Sequence, residues 1–197
     1  MSPRRLWFLL RWLVFYNAEL VWLCWRLPRH IPPGAALPPD SDARRRQAHA
    51  ELAAATARHG GICAACGRCC LEEVDRFTPF DQLVRARSAS PAPSADRRLY
   101  SVPWMAWNAL SHTAQRLPGR SQQAPLPPCP YVGTEGCRLP RVERPMVCVS
   151  WFCLHLALVM IPADMDAAEA PLRAIEALHR EAVRAARAAI TGPPAPP

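Results

Sequence analysis

The chain has 197 residues, room for one domain with appendages rather than several domains. Half of the residues are hydrophobic, many of them Ala, which favours helix over sheet. The formal charge of +8 is carried by Arg alone, since none of the 24 Lys+Arg positions holds Lys.

Ala, Arg and Pro dominate together, which reads as a compositional bias and removes Arg richness as a sign of nucleic acid. If eight cysteines bind metal as thiolates in two centres, each centre brings about −2, which leaves the holoprotein near +4. A nucleic-acid partner is therefore not expected.

Residues 4–27 carry Trp, Leu, Phe and Val around Arg11 and Glu19 and predict a helix that Pro28 ends. Arg11 breaks the apolar run and no small-residue cleavage motif follows, so the segment is a poor secretory signal. As a membrane span it would place Arg11 and Glu19 near the bilayer centre at about 2.5–3.5 kcal/mol each. On a helical wheel Arg4, Arg11, Glu19 and Arg26 fall within roughly 80°, leaving a wide face of Trp and Leu. Three readings follow: a helix docked on this domain, on a protein partner or on a second copy; a helix lying on a membrane surface; and a span. Cys24 in this helix reads as a buried apolar residue.

Residues 28–41 are a Pro-rich linker. Ser41 or Asp42 is expected to cap a surface helix that runs to His59 and stops at Gly60-Gly61. His59 precedes Cys63 by one turn and reads first as a solvated helix-end histidine, second as a ligand.

Residues 63–70 read Cys63-Ala-Ala-Cys66-Gly-Arg-Cys69-Cys70, a dense thiol cluster. Two residues between cysteines let both thiolates reach one metal from a tight turn. Cys63, Cys66 and Cys69 repeat the C-x2-C-x2-C run of bacterial ferredoxins, and Cys129-Pro130 supplies a distant Cys-Pro. Cys70 is extra. Adjacent side chains point apart, so Cys69 and Cys70 suit two different centres. Metal ligation in a reducing compartment accounts for this clustering better than disulfides do.

Thr78-Pro79-Phe80-Asp81 predicts a short helix, with Pro at the first position and an early acid. Residues 88–96 read as a surface loop. A helix bearing Trp104, Trp107, Leu110 and His112 follows, then a proline-rich loop over 118–128. The second block holds Cys129, Cys137, Cys148 and Cys153. Gly133 and Gly136 allow a tight knuckle between Cys129 and Cys137, and Pro145 stands where a helix begins. On that helix Cys148 and Cys153 are about one and a half turns apart, too far round for one face. Arg138, Arg141 and Arg144 read either as partners of the thiolates or as plain surface residues. Residues 146–161 continue as an apolar helix. Residues 162–190 predict an amphipathic helix burying Leu172, Ile175, Leu178, Val183 and Ile190. Residues 191–197 read as a disordered tail.

CxxCGxCC, then CP, GC, RP and a closing pair of cysteines resembles the YkgJ-like CxxCxxCC family, a zinc- or iron-chelating domain. The resemblance covers residues 60–155 and includes Cys63, Cys66, Cys69, Cys70, Cys129, Cys137, Cys148 and Cys153 in order. Thr78 to Asp81 resembles the family's short Thr/Ser-x-x-Asp stretch. Departures are Pro140 where the family has Tyr, a late Arg144-Pro145, and Val149 in place of Arg. The resemblance implies metal bound by these eight cysteines; a related domain occurs in a flagellin lysine N-methylase.

The expected fold is mostly α, a small helical domain with irregular cysteine-rich metal-binding loops and an N-terminal hydrophobic helix. Its divisions are 1–27, 28–41, 42–161 for the metal-binding domain, 162–190 and 191–197. Three functions stay open. One is an iron–sulfur protein with an electron-transfer or accessory role. The second is a structural zinc domain that mediates protein contacts. The third is a cluster-containing enzyme such as a methyltransferase. The expected location is the cytoplasm, peripheral to the inner membrane if residues 4–27 touch it.

Overall fold

A computed structural model of the chain describes residues 3–15, 34–62, 77, 79–89, 91–92, 129–134, 136–150, 156 and 159–191. Most of them are helical, as the Ala content predicts. The helix expected around Trp104, the proline-rich loop before Cys129 and residues 192–197 of the C-terminal tail lie outside the described residues, as do residues 28–33 of the linker.

The fold is centred on α5, Pro162–Thr191. Its apolar residues recur every three or four positions, and Ala168, Leu172, Ile175, Leu178, Ala182, Val183 and Ala186 form one buried stripe. Ile190, expected to be buried, is 58% exposed, because the stripe ends one turn earlier at Ala186. Pro171 lies inside this helix and is buried, so the helix runs on across a position with no N–H to donate.

Helix α2, Ser41–Ala55, makes the most extensive packing with α5. Sequence predicts a surface helix here, and the structure corrects that. Ser41, Arg45, Ala48, His49 and Leu52 are buried along one face. Its start also differs: Asp40 is the N-cap residue, with no side-chain cap bond, and Ser41 is already helical. Asp42 instead pairs with Arg45 and Arg46. The helix gives way to a turn at Thr56 and a 3-10 turn at Ala57–His59, and residues 60–62 are helical again, so Gly60-Gly61 does not stop the chain's helical course. Arg44 spans to α5 with a two-pronged ion pair to Glu181, at 2.6 and 3.1 Å.

Helix α1, Pro3–Leu9, widens into π-helical turns over Leu10–Phe15 and also docks on α5. Arg4, Phe8, Arg11 and Trp12 share the docked face. Arg11 holds both oxygens of Glu176 at 2.8 and 2.9 Å, Arg4 pairs with Asp166, and Phe8 and Trp12 enter the core. Arg4 and Arg11 of the expected stripe thus meet acidic residues of α5, and Leu6, Trp7 and Leu10 are left outward; Glu19 and Arg26 lie outside the described residues. Residues 16–27, the rest of the predicted helix, lie outside the described residues. Among the described residues no helix is long and apolar enough to cross a membrane.

Two short elements complete the core. Helix α3, Pro79–Val84, contributes Phe80, Leu83 and Val84, and α4, Met146–Ser150, contributes Met146 and Val149. Phe80 lies against the His179 ring of α5, with centroids 4.6 Å apart. Beyond residue 150, Leu156 and Met160 are buried, but Val159 and Ile161 are exposed.

Candidate metal centre

Three of the eight predicted ligands fall among the described residues: Cys129, Cys137 and Cys148. Cys63, Cys66, Cys69, Cys70 and Cys153 do not. Cys129 is buried, and Cys137 and Cys148 are half-buried thiols. Among the described residues no three His, Cys, Asp or Glu side chains stand together as a metal site.

Cys129 and Cys137 belong to one hairpin. Strands β1, Val132–Gly133, and β2, Gly136–Cys137, pair antiparallel, with Val132 opposite Cys137 and Gly133 opposite Gly136. Gly136 has φ +101°, a conformation L side chains rarely adopt, and this explains a glycine directly before the cysteine. The amide of Val132 donates to the carbonyl of Cys129 at 3.0 Å, which turns the chain back from the first thiol toward the second. The predicted knuckle is present in these terms.

Its three arginines do something sequence did not suggest. Arg138 donates to the carbonyls of Pro130 and Val132 at 3.0 and 3.4 Å. Arg144 donates to the carbonyls of Leu139 and Cys137 at 3.1 and 3.4 Å. Arg141 reaches across to the Thr56 hydroxyl at 2.6 Å. The Arg138 and Arg144 bonds satisfy carbonyls that a two-residue strand pair leaves open, so these two guanidinium groups brace the knuckle's backbone.

The 3-10 turn Arg141–Glu143 sits against α2. Arg45, with its side chain wholly buried, donates to the Val142 carbonyl at 2.6 Å and to Asp42 at 2.8 Å. Arg45 Nη1 also approaches His49 Nδ1 at 3.4 Å. Burial, then the Arg45 charge, pushes the His49 pKa down to about 3, against the pull of the Arg141 and Val142 carbonyls. His49 is therefore neutral, and Nδ1 can accept from Arg45. Arg46 and Arg85 both pair with Glu143.

The flanks of the first block are fastened to the second. Thr56, shortly before Cys63, takes the Arg141 bond. Phe77, shortly after Cys70, is buried edge-on against the ring of Tyr131, with centroids 5.8 Å apart, and the Arg85 guanidinium lies over the Phe77 ring at 5.6 Å.

His59 is not the solvated helix end expected. It is buried, and its Nε2 lies 2.9 Å from Asp164 Oδ2 at the start of α5. Burial would raise the Asp164 pKa, but the hydrogen bonds from His59 and the Ile161 amide, with the Arg58 charge, hold it below the usual carboxylate value. The bond to Asp164 occupies one ring nitrogen of His59 in structure.

Asp81 is the residue sequence reasoning placed but did not understand. It was expected as an acid in the first turn of its own helix. It is wholly buried, and Oδ1 accepts the Met146 amide at 2.8 Å, at the start of the helix that carries Cys148. A partner so distant in the chain leaves no local trace; the only hint was the Thr-Pro-Phe-Asp stretch itself.

No family model, curated protein or solved structure matches the chain. The reading of the eight cysteines thus stands on their spacing and on the elements that carry them.

Proposed function

We propose that the chain is a metalloprotein whose Cys63, Cys66, Cys69, Cys70, Cys129, Cys137, Cys148 and Cys153 hold iron–sulfur in an electron-transfer or accessory role. The observation that carries this reading is the fastening of both flanks of the first block, through Thr56 and Phe77, onto the second. The span of chain between those points therefore begins and ends against the second block, at Arg141 and Tyr131. The donor set fits as well. All eight groups are thiols, the ligand class that iron–sulfur centres take. When bound, such a cluster accepts and releases single electrons.

The protein's own residues supply the setting. Cys129 is buried, away from bulk water. Arg138 and Arg144 keep the hairpin backbone in place and bring positive charge beside the thiolates. Thiolates and reduced clusters need a reducing compartment, which supports the cytoplasm as the location. Outward-facing Leu6, Trp7 and Leu10 are the feature that supports contact with a membrane surface or partner.

A second reading is structural zinc in tetrathiolate sites, favoured by the hairpin knuckle at Cys137, a turn that suits a closed four-coordinate site. Purification under anaerobic conditions separates the two. The iron–sulfur reading expects brown protein with sulfur-to-iron absorption and acid-labile sulfide. Colourless protein that holds zinc and no iron would sink it and leave the zinc reading. An enzyme of the methyltransferase kind would further require a methyl-donor pocket, for which no residue outside the cysteine blocks speaks.

A further inference from the structure

We infer that Asp81 of α3 and Arg85 just after it clamp the segment leading into the Cys148 helix, and that this clamp sets where Cys148 stands relative to the Cys129–Cys137 hairpin; the inference rests on the metal reading above. The two residues are four apart, so they project from one face of α3 and the turn that extends it. Asp81 accepts from the Met146 amide at 2.8 Å. Arg85 donates to the Glu143 carbonyl at 3.4 Å and to its carboxylate at 3.1 Å. One short stretch, Glu143 to Met146, is thus gripped at both ends, and Cys148 follows within one turn of α4.

Chemistry favours a positioning role. The first amides of a helix lack partners within it, and a carboxylate there satisfies one and opposes the helix dipole favourably. Asp81 and Arg85 are both buried, and taking two charges out of water is costly unless geometry is well satisfied. Apolar packing would hold α3 against α4 without that cost, but it would leave the register between them loose. The clamp also reaches the Cys129–Cys137 hairpin. Arg85 covers Phe77, Phe77 meets Tyr131, and α3 is the first described helix after Cys70. Asp81 and Arg85 are positioning residues that act through the backbone; neither is offered as a ligand.

The test uses full-length, metal-loaded protein and three variants: Asp81→Ala, Asp81→Asn and Leu83→Ala. The readouts are metal affinity in competition with a chelator and the melting temperature of each variant. Asp81→Asn keeps an oxygen that accepts the Met146 amide and should hold metal close to wild type. Asp81→Ala should lose about 10- to 100-fold in affinity, the usual effect of removing a partner that orients a ligand. Leu83→Ala removes buried apolar volume from the same helix and should lower the melting temperature while affinity stays within a few-fold of wild type. Wild-type affinity in Asp81→Ala would overturn the inference, as would an equal loss in Leu83→Ala. Should Asp81→Ala not fold, Arg85→Met removes the other jaw and is read the same way. Wild-type protein that binds no metal would defeat the metal reading itself, before any variant is compared.

Discussion

Burial and the adjacent Arg45 charge keep His49 neutral down to about pH 3, and burial does the same to His179 against the pull of Glu176. Both would titrate near 6.5 once unfolded. Below that pH the unfolded chain takes up protons that the folded chain refuses, so stability falls as pH falls. Between pH 7 and pH 5 each histidine should remove about 2 kcal/mol. Urea unfolding at the two pH values checks this, and His179→Leu should roughly halve the difference; an unchanged pH dependence in that variant would contradict the assignment. At Gly136 the φ of +101° forbids a side chain at little strain, so Gly136→Ala should cost about 1–3 kcal/mol in chemical unfolding. The glycine before Cys137 was legible from sequence because its reason is local. Arg45, His49 and Asp81 were not. Their partners, Val142 and Met146, stand far away in the chain, and a charged residue on an Ala-rich helix reads as solvated until the surface that covers it is known.

Among the elements, α5 was the most legible. Leu172, Ile175, Leu178 and Val183 keep helical spacing and are buried as predicted, whereas Ile190 continues the spacing beyond the neighbours that would cover it. The face of α2 was misread because its buried positions include Ser41, Arg45 and His49, which carry no hydrophobic period. For α1 the helical wheel put Arg4 and Arg11 on one side, but did not show that acidic residues of α5 receive them. Docking of α1 can be measured by substitution. Trp12 is 1% exposed and packs against Phe8, so Trp12→Ala should cost about 3–5 kcal/mol. Trp7 is 61% exposed, and Trp7→Ala should stay within about 0.5 kcal/mol of wild type. Equal losses in urea unfolding would contradict the docked orientation.

On the scale of the molecule, the helical class was legible from composition. What sequence did not reveal is how the halves are held together. The second block is braced by arginines from three directions: its own Arg138 and Arg144, Arg45 and Arg46 of α2, and Arg85 after α3. Such cross-links join segments remote in sequence, and no local pattern encodes them. Under the proposed metal reading, the helical core should outlast metal loss, while the cysteine blocks, with few apolar residues between Cys63 and Cys70, should depend on it. A chelator should therefore lower the melting temperature and increase proteolysis near residues 63–70, yet leave most helical signal in circular dichroism. Loss of all helical signal would mean the core cannot stand alone. Metal bound per chain in wild type, Cys66→Ser and Cys137→Ser, purified anaerobically, tests whether both cysteine blocks hold the metal. Iron is expected in the wild type, with a clear loss in each variant; wild-type metal content in either variant would rule out a shared site.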